Sequence, residues 1–237
     1  MLSILPDSNS SGIKPGPVQP EMMGGNAGEG KSMGLYDERV LPHVIDVVMN
    51  AKQIREIRQR VCSGLQGEVV EIGFGTGHNL PFLPAEVTRL RAVEPSQRSI
   101  ALARKRIAAS EVPVKVVGLD GQHLPLENDS ADAVLCTWSL CTIPEPEAAV
   151  CEMARVLTPD GQLHFAEHGR APDHGVRRWQ DRLNGIQQRV GGGCHLNRDI
   201  PSIIEAAGMK IARLDTHYAK DIPKPYAFMY EGAAAAG

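Results

Sequence analysis

The chain has 237 residues, of which 42% are hydrophobic and 22% charged, with a formal net charge of −3 at pH 7. That is enough apolar material for one sizeable core, and a slightly acidic balance gives no footing for a nucleic-acid partner. No apolar run approaches the length of a membrane span and the N-terminus lacks a basic stretch followed by an apolar one. The five cysteines, an odd number, read as reduced thiols of a cytoplasmic protein rather than a disulfide framework.

Residues 1–33 are rich in Gly, Pro, Ser and Asn without periodicity and read as a flexible tail, leaving residues 34–237 as a single domain. Within the tail, Gly25 to Ser32 matches the phosphate-loop pattern GxxxxGK[ST] letter for letter. A working phosphate loop needs a buried strand before it, and the run from Pro15 to Pro20 cannot supply one, so the match is set aside. From Leu35 to about Val61 apolar residues recur at helical spacing, with Pro42 suited to a first turn.

Val69 to Ile72 is an apolar run that suits a strand buried on both faces, and Gly73, Gly75 and Gly77 follow it at alternate positions. Glycines there let the backbone turn sharply and come within contact distance of a ligand, and a helix is expected to begin near Thr76. This reads as a nucleotide-type binding loop. A dinucleotide fingerprint wants a third small residue three positions after Gly75, where this chain has the bulky His78.

The elements then alternate. Strands are expected at Leu90 to Glu94, Val112 to Val117, Asp132 to Trp138 and Gln162 to Glu167, the last after a turn at Pro159-Asp160-Gly161. Helices separate them, one capped by Ser96 and another carrying Val150, Met153, Val156 and Leu157. Two more helices, around Trp179 to Ile186 and Ile200 to Ala207, and two strands near Met209 to Thr216 and Pro225 to Glu231 complete the chain. The pattern predicts an α/β fold with a doubly wound, mostly parallel seven-stranded sheet.

In such a sheet, ligands sit beyond the carboxyl ends of the strands, where the strand order reverses. The second strand ends in Glu94, nineteen residues after Gly75, placed to accept hydrogen bonds from both hydroxyls of a ribose. Asp120, beside Gly121 after the third strand, can accept from an adenine amino group while a nearby backbone N–H donates to a ring nitrogen. His168, at the end of the fifth strand, is placed to act as a general base. His164, His168, Cys194 and His195 show no compact metal-ligand spacing, so no metal site is expected. Trp138, Cys141 and Trp179 read as pocket wall or core.

Glu71 with Gly73, Gly75 and Gly77, then Gly118 to Leu126, Ala131 to Thr137 and Ala154 to Gly161, resemble in order the motifs of the class I S-adenosylmethionine-dependent methyltransferases, with their Rossmann-like fold. The chain is most similar to the ubiquinone/menaquinone-biosynthesis type. Cys136 to Cys141, Ala166-Glu167-His168 and Gly193 to Asp199 point to its thiol methyltransferase-like branch. The resemblance runs from about Leu35 to Tyr230. It implies S-adenosylmethionine as cofactor, with Gly73, Gly75 and Gly77 along its methionine and ribose and Glu71 at the base of the loop. It further implies Glu94 at the ribose hydroxyls, Asp120 and Gly121 at the adenine, Thr137 beside the sulfonium and Tyr36 over the methionine carboxylate. The chain departs from the membrane-associated members, whose apolar N-terminal segment is here a polar tail, and Gly121 stands where alanine is more usual. The expected activity is methyl transfer to a small, rather apolar acceptor (a thiol, a phenol or quinol oxygen, or a ring carbon), with no integral membrane segment and the oligomeric state open. An NAD-dependent oxidoreductase and a catalytically silent S-adenosylmethionine-binding protein are the alternatives.

Overall fold

A computed structural model describes residues 43, 46–47, 49–118 and 120–237. The tail, the phosphate-loop match and Tyr36 lie outside the described residues. The elements in chain order are α1 (Lys52–Cys62), β1 (Gly67–Ile72), a 3₁₀ turn (Leu80–Phe82), β2 (Val87–Val93), α2 (Gln97–Ala108), β3 (Val114–Gly118) and β4 (Ala131–Thr137). After these come α3 (Pro146–Val156), β5 (Leu157–His168), α4 (His174–Val190), α5 (Ile200–Ala206), β6 (Met209–Tyr218), α6 (Lys224–Ala227) and β7 (Phe228–Ala236).

The strands form one sheet in the order β3-β2-β1-β4-β5-β7-β6, parallel throughout except for β7, which runs antiparallel to both its neighbours. Side chains alternate across each strand, and the two cores follow that period of two. Val70, Ile72, Val134, Cys136, Leu163 and Phe165 pack with α3 and α5 on one face. Val69, Leu90, Ala92, Ala133, Leu135 and Ala166 pack with Ile57 and Val61 of α1 and Ala103 of α2 on the other. The sheet is therefore doubly wound, and the order reverses between β1 and β4.

Local chemistry explains several boundaries. Ser96 caps α2, its hydroxyl accepting from the Ser99 N–H at 3.1 Å. Pro159-Asp160-Gly161, expected as a turn before the fifth strand, instead lies within β5 at a register irregularity, where Ala131 pairs with Leu157 but Ala133 already pairs with Gln162. At Gly232 a Cβ would strike the Phe165 ring, so a glycine among the alanines of β7 lets the strand pass over that side chain.

Two further expectations need correction and a third is narrowed. The helical reading of residues 35–61 is interrupted among the described residues by a turn at Met49 and Asn50, and α1 starts afresh at Lys52. The helix expected near Thr76 is instead a loop ending in the single 3₁₀ turn Leu80–Phe82, because Gly75 and Gly77 have φ of +59° and +79°, outside the helical region, and Pro81 lies just beyond. Trp179 is not core, but it does line a pocket, with Asp173, Val176, Lys224 and Pro225. It is 55% exposed on α4, in line with the exposed Ile186 and Val190.

Candidate active site

The glycine loop occupies the switch point. Gly73, Gly75 and Gly77 all have positive φ (+70°, +59° and +79°), a region that costs other residues roughly 1–2 kcal/mol each. Gly73 must also be small, since a Cβ there would overlap the side chain of Ser139, whose hydroxyl bridges toward the Ile72 carbonyl at 3.1 Å. Around Gly75 the requirement is different. Among the described residues a Cβ would meet only the Gly73 carbonyl at 3.8 Å, so none of them closes the space facing this backbone. Phe74 anchors the loop, 2% exposed in the core, with its N–H and that of Gly73 both donating to the Val93 carbonyl.

Glu94 is held directly against this loop. Its Oε2 accepts from the Gly75 N–H at 2.7 Å and its Oε1 from the Ser96 N–H at 2.9 Å. Burial raises its pKa above the ordinary carboxylate range, and the two amide bonds pull it part of the way back. Each carboxylate oxygen has a second lone pair, so the group can hold the loop and still accept from a ligand.

Beneath the loop lies a polar network that sequence reasoning missed. Glu71 falls on the α1 side of β1, because it alternates with Val70 and Ile72, and it is 1% exposed. Asn79 Nδ2 donates to Glu71 Oε1 at 2.8 Å and to Thr137 Oγ1 at 3.0 Å. Arg58 Nη1 donates to Asn79 Oδ1 at 2.6 Å and to Thr137 Oγ1 at 3.1 Å, while its guanidinium lies 4.7 Å from the ring centroid of Trp138. Trp138 itself sits at φ +50°, an uncommon backbone for a bulky side chain and one of the positions where strain gathers at functional sites. Burial raises the Glu71 pKa to about 8, with the Asn79 bond and the Arg58 charge opposing it. Burial likewise lowers Arg58 to about 10. A signal for Arg58 was present in the sequence: it occupies the apolar stripe of α1 formed by Ile54, Ile57 and Val61, where a solvated arginine has no place.

The other expected residues fall as follows. Thr137 is buried at the end of β4, but both lone pairs of its hydroxyl are taken by Arg58 and Asn79, so it braces the network. Gly121 lies beside the end of β1, where a Cβ would come within 2.9 Å of Ile72 Cγ2. Asp120 is exposed, and its Oδ1 accepts from the Gln122 N–H at 2.8 Å, the turn expected of an aspartate before glycine. His168 is buried at the end of β5, with Nε2 3.1 Å from Cys194 Sγ and Nδ1 without a partner among the described residues. Its neighbour Glu167, given no role above, accepts from the backbone N–H groups of Ser139 (2.7 Å), Leu140 (3.0 Å) and Cys141 (3.4 Å) and so fixes the loop after β4.

The family profile described as "Methyltransferase domain" matches residues 70–165, from the strand before the glycine loop to the middle of β5. The thiol S-methyltransferase TMT1B of Rattus norvegicus is 30% identical over 169 residues, covering 69% of this chain and 67% of that one. The chain belongs to the class I S-adenosylmethionine-dependent methyltransferases. The demethylmenaquinone methyltransferase of Clavibacter sepedonicus is 30% identical over 135 residues, covering 56% of this chain and 55% of its own. Among solved structures, the methyltransferase of a Haloferax volcanii complex with the Trm112 activator superposes with a TM-score of 0.64 at 17% identity, covering 81% of this chain and 93% of that chain, a likeness of fold. The cofactor is therefore S-adenosylmethionine, and the activity is methyl transfer rather than hydride transfer.

The residues present fit that cofactor. Glu71 Oε2 is buried with no hydrogen-bond partner among the described residues, and an unpaired carboxylate oxygen under the glycine loop suits a ligand carrying an ammonium group, as the methionyl part of S-adenosylmethionine does. Among the described residues, no helix is long and apolar enough to cross a membrane, and all five cysteines are free.

Proposed function

We propose that this methyltransferase acts on a small, rather apolar acceptor, a thiol foremost, with phenol or quinol oxygen and ring carbon as the neighbouring classes. The observation that carries the acceptor class is the 30% identity to a protein named thiol S-methyltransferase over about two thirds of both chains. The cofactor would run along the crevice between β1 and β4, its methionyl and ribose portions on Gly73, Gly75 and Gly77 and its ribose hydroxyls on Glu94. Its adenine would reach Asp120 and Gly121, and its sulfonium would come beside Thr137. The space left open at Gly75 by the described residues and the amide-bound carboxylate of Glu94 support this course. Tyr36 remains assigned to the methionine carboxylate from the resemblance alone.

Methyl transfer is an in-line displacement on a carbon already activated by the sulfonium, so alignment of acceptor and donor supplies much of the acceleration. A base is required only where the acceptor arrives still carrying its proton. His168 was expected in that role, but the contact of its Nε2 with Cys194 favours a different one, taken up below. The free cysteines and the net charge of −3 support a cytoplasmic enzyme without a nucleic-acid partner.

The test is incubation with methyl-labelled S-adenosylmethionine and a panel of alkyl and aryl thiols, phenols and quinols. Label should pass to thiols at least tenfold faster than to oxygen acceptors. Transfer confined to phenols or quinols would overturn the thiol assignment, and tight cofactor binding without turnover on any member of the panel would overturn the small-acceptor reading.

A further inference from the structure

Cys141, His168 and Cys194 come from three separate parts of the chain: the loop after β4, the last residue of β5 and the segment between α4 and α5. Their sulfurs and an imidazole nitrogen all lie within 4.8 Å of one another. The three residues are only 2%, 8% and 9% exposed. Two buried thiols around one buried imidazole are an expensive arrangement for packing alone, since apolar side chains would fill the same space without a polar ring nitrogen to satisfy. The His168 ring meets Cys194 through Nε2, a weak partner, and its Nδ1 meets no partner among the described residues.

The surrounding backbone is held in place. Glu167 binds the N–H groups of residues 139–141, the His195 N–H donates to the Cys141 carbonyl at 2.8 Å, and Arg198 Nη1 donates to the Ile143 carbonyl at 2.7 Å and to the Leu140 carbonyl. The two cysteines are thus presented to the histidine by rigid segments rather than by free loops.

From this geometry we propose that Cys141, His168 and Cys194 form a three-ligand site for a thiophilic divalent cation, Zn²⁺ in the first place. Tetrahedral zinc with two thiolates and an imidazole sets its ligand atoms roughly 3.5–3.8 Å apart, a spacing that the observed cluster reaches with small side-chain movements. Two thiolates balance the charge of the cation, and the Glu167 carboxylate offsets the guanidinium of Arg198. Among the described residues no further His, Cys or carboxylate joins the group. Three protein ligands with a fourth position left to water or substrate mark a catalytic rather than a structural zinc site. His168 is then a ligand, not a general base. A thiol that took the fourth position would lose its proton to solvent and arrive as the thiolate, which attacks the methyl carbon as the carbon–sulfonium bond breaks, giving the thioether and S-adenosylhomocysteine. That use of the site rests on the thiol acceptor proposed above, whereas the site itself rests only on its own geometry.

The sequence hid this cluster. Its successive members are 27 and 26 positions apart, and His164 and His195, the other histidines near them in the chain, do not belong to it.

The experiment is a cobalt titration of the full chain kept under reductant, followed by absorption spectroscopy, with S-adenosylhomocysteine affinity measured on the same samples. One Co²⁺ per chain should bind, with the thiolate-to-cobalt charge-transfer band and the intense visible bands of a tetrahedral site, and Zn²⁺ should displace it. Cys194→Ser should weaken the metal at least tenfold and reduce the charge-transfer band, while S-adenosylhomocysteine affinity stays within about twofold of wild type. Where that variant does not fold, His168→Gln serves in its place, expected to weaken the metal while keeping the thiolate band. Wild-type protein that binds S-adenosylhomocysteine but shows neither band nor stoichiometric metal overturns the site. So does a Cys141–Cys194 disulfide recovered from protein kept under reductant. Tetrahedral cobalt bands in protein that transfers methyl to no thiol uphold the site and refute only its use in thiol transfer.

Discussion

Glu94→Ala tests both the loop contacts that the structure shows for this carboxylate and the ribose contact proposed for it. In the apo protein it removes the acceptor of the Gly75 and Ser96 amides. Hydrogen bonds to a charged group are worth about 1.5–3 kcal/mol each, but the carboxylate is buried and its raised pKa records a desolvation cost that the alanine no longer bears. The net loss of folding stability should be roughly 1–3 kcal/mol. A strand-end carboxylate considered from sequence alone would contribute almost nothing. In the complex the variant would also lose the two proposed ribose bonds, offset in part by water reaching the freed hydroxyls. A net loss of roughly 2–3 kcal/mol weakens binding about 30- to 150-fold. The assays are urea unfolding of the apo proteins and calorimetric titration with S-adenosylhomocysteine. An analogue lacking the ribose hydroxyls separates direct contact from loop distortion: it should bind wild type much more weakly than S-adenosylhomocysteine, yet bind Glu94→Ala almost as that ligand does. A folded variant with wild-type affinity would refute the ribose assignment, and an equal penalty for the analogue in both proteins would show that Glu94 acts only by shaping the loop.

Further outcomes follow from the buried network and the loop. The Glu71 pKa is raised in the folded state from 4.5 to about 8, so its contribution to stability is fully present below pH 4.5 and is lost as pH rises through 8. Between pH 5 and 7.5 the apo protein should therefore lose up to about 1.4 kcal/mol per pH unit more than Glu71→Gln, and parallel urea-unfolding curves for the two would refute this. Arg58→Met leaves the Asn79 side-chain oxygen without its donor, Thr137 with one donor instead of two and Glu71 without the Arg58 charge, and should cost about 3–5 kcal/mol in the same assay. Gly75→Ala should cost only about 1–2 kcal/mol of stability yet weaken S-adenosylhomocysteine more than tenfold, whereas Gly73→Ala, which also strikes Ser139, should destabilise more. Equal thermal shifts for the two glycine variants would count against the difference in their surroundings. Removal of residues 1–32 should leave S-adenosylhomocysteine affinity unchanged, and a Lys31-dependent thermal shift with ATP in the full chain would restore the phosphate-loop reading.

What the sequence determined by itself was whatever local periodicity and spacing can encode. Alternating strand and helix patterns were enough for a doubly wound sheet, because a strand buried on both faces and a helix with one apolar stripe each announce their surroundings within a few residues. The three glycines after β1 were legible because only glycine adopts that backbone cheaply, and Glu94 because the distance from loop to second strand end is set by the length of one crossover between adjacent parallel strands. The Ser96 cap reads from four adjacent residues. The sheet order decided the rest. Placing β4 beside β1 brings Thr137 against Asn79 and Arg58, partners 58 and 79 positions away in the chain, and no periodicity records such a pairing. It turns Glu71 from a motif residue into a buried acid with a raised pKa, and makes the strand-end carboxylate of Glu94 the clamp of the glycine loop. It also gathers Cys141, His168 and Cys194 from three segments, while leaving Trp179, whose helical spacing reads as core, facing outward on α4. Hydrophobic spacing specifies that a helix has an apolar face, but which neighbour covers that face, or whether any does, depends on contacts between residues far apart in the chain.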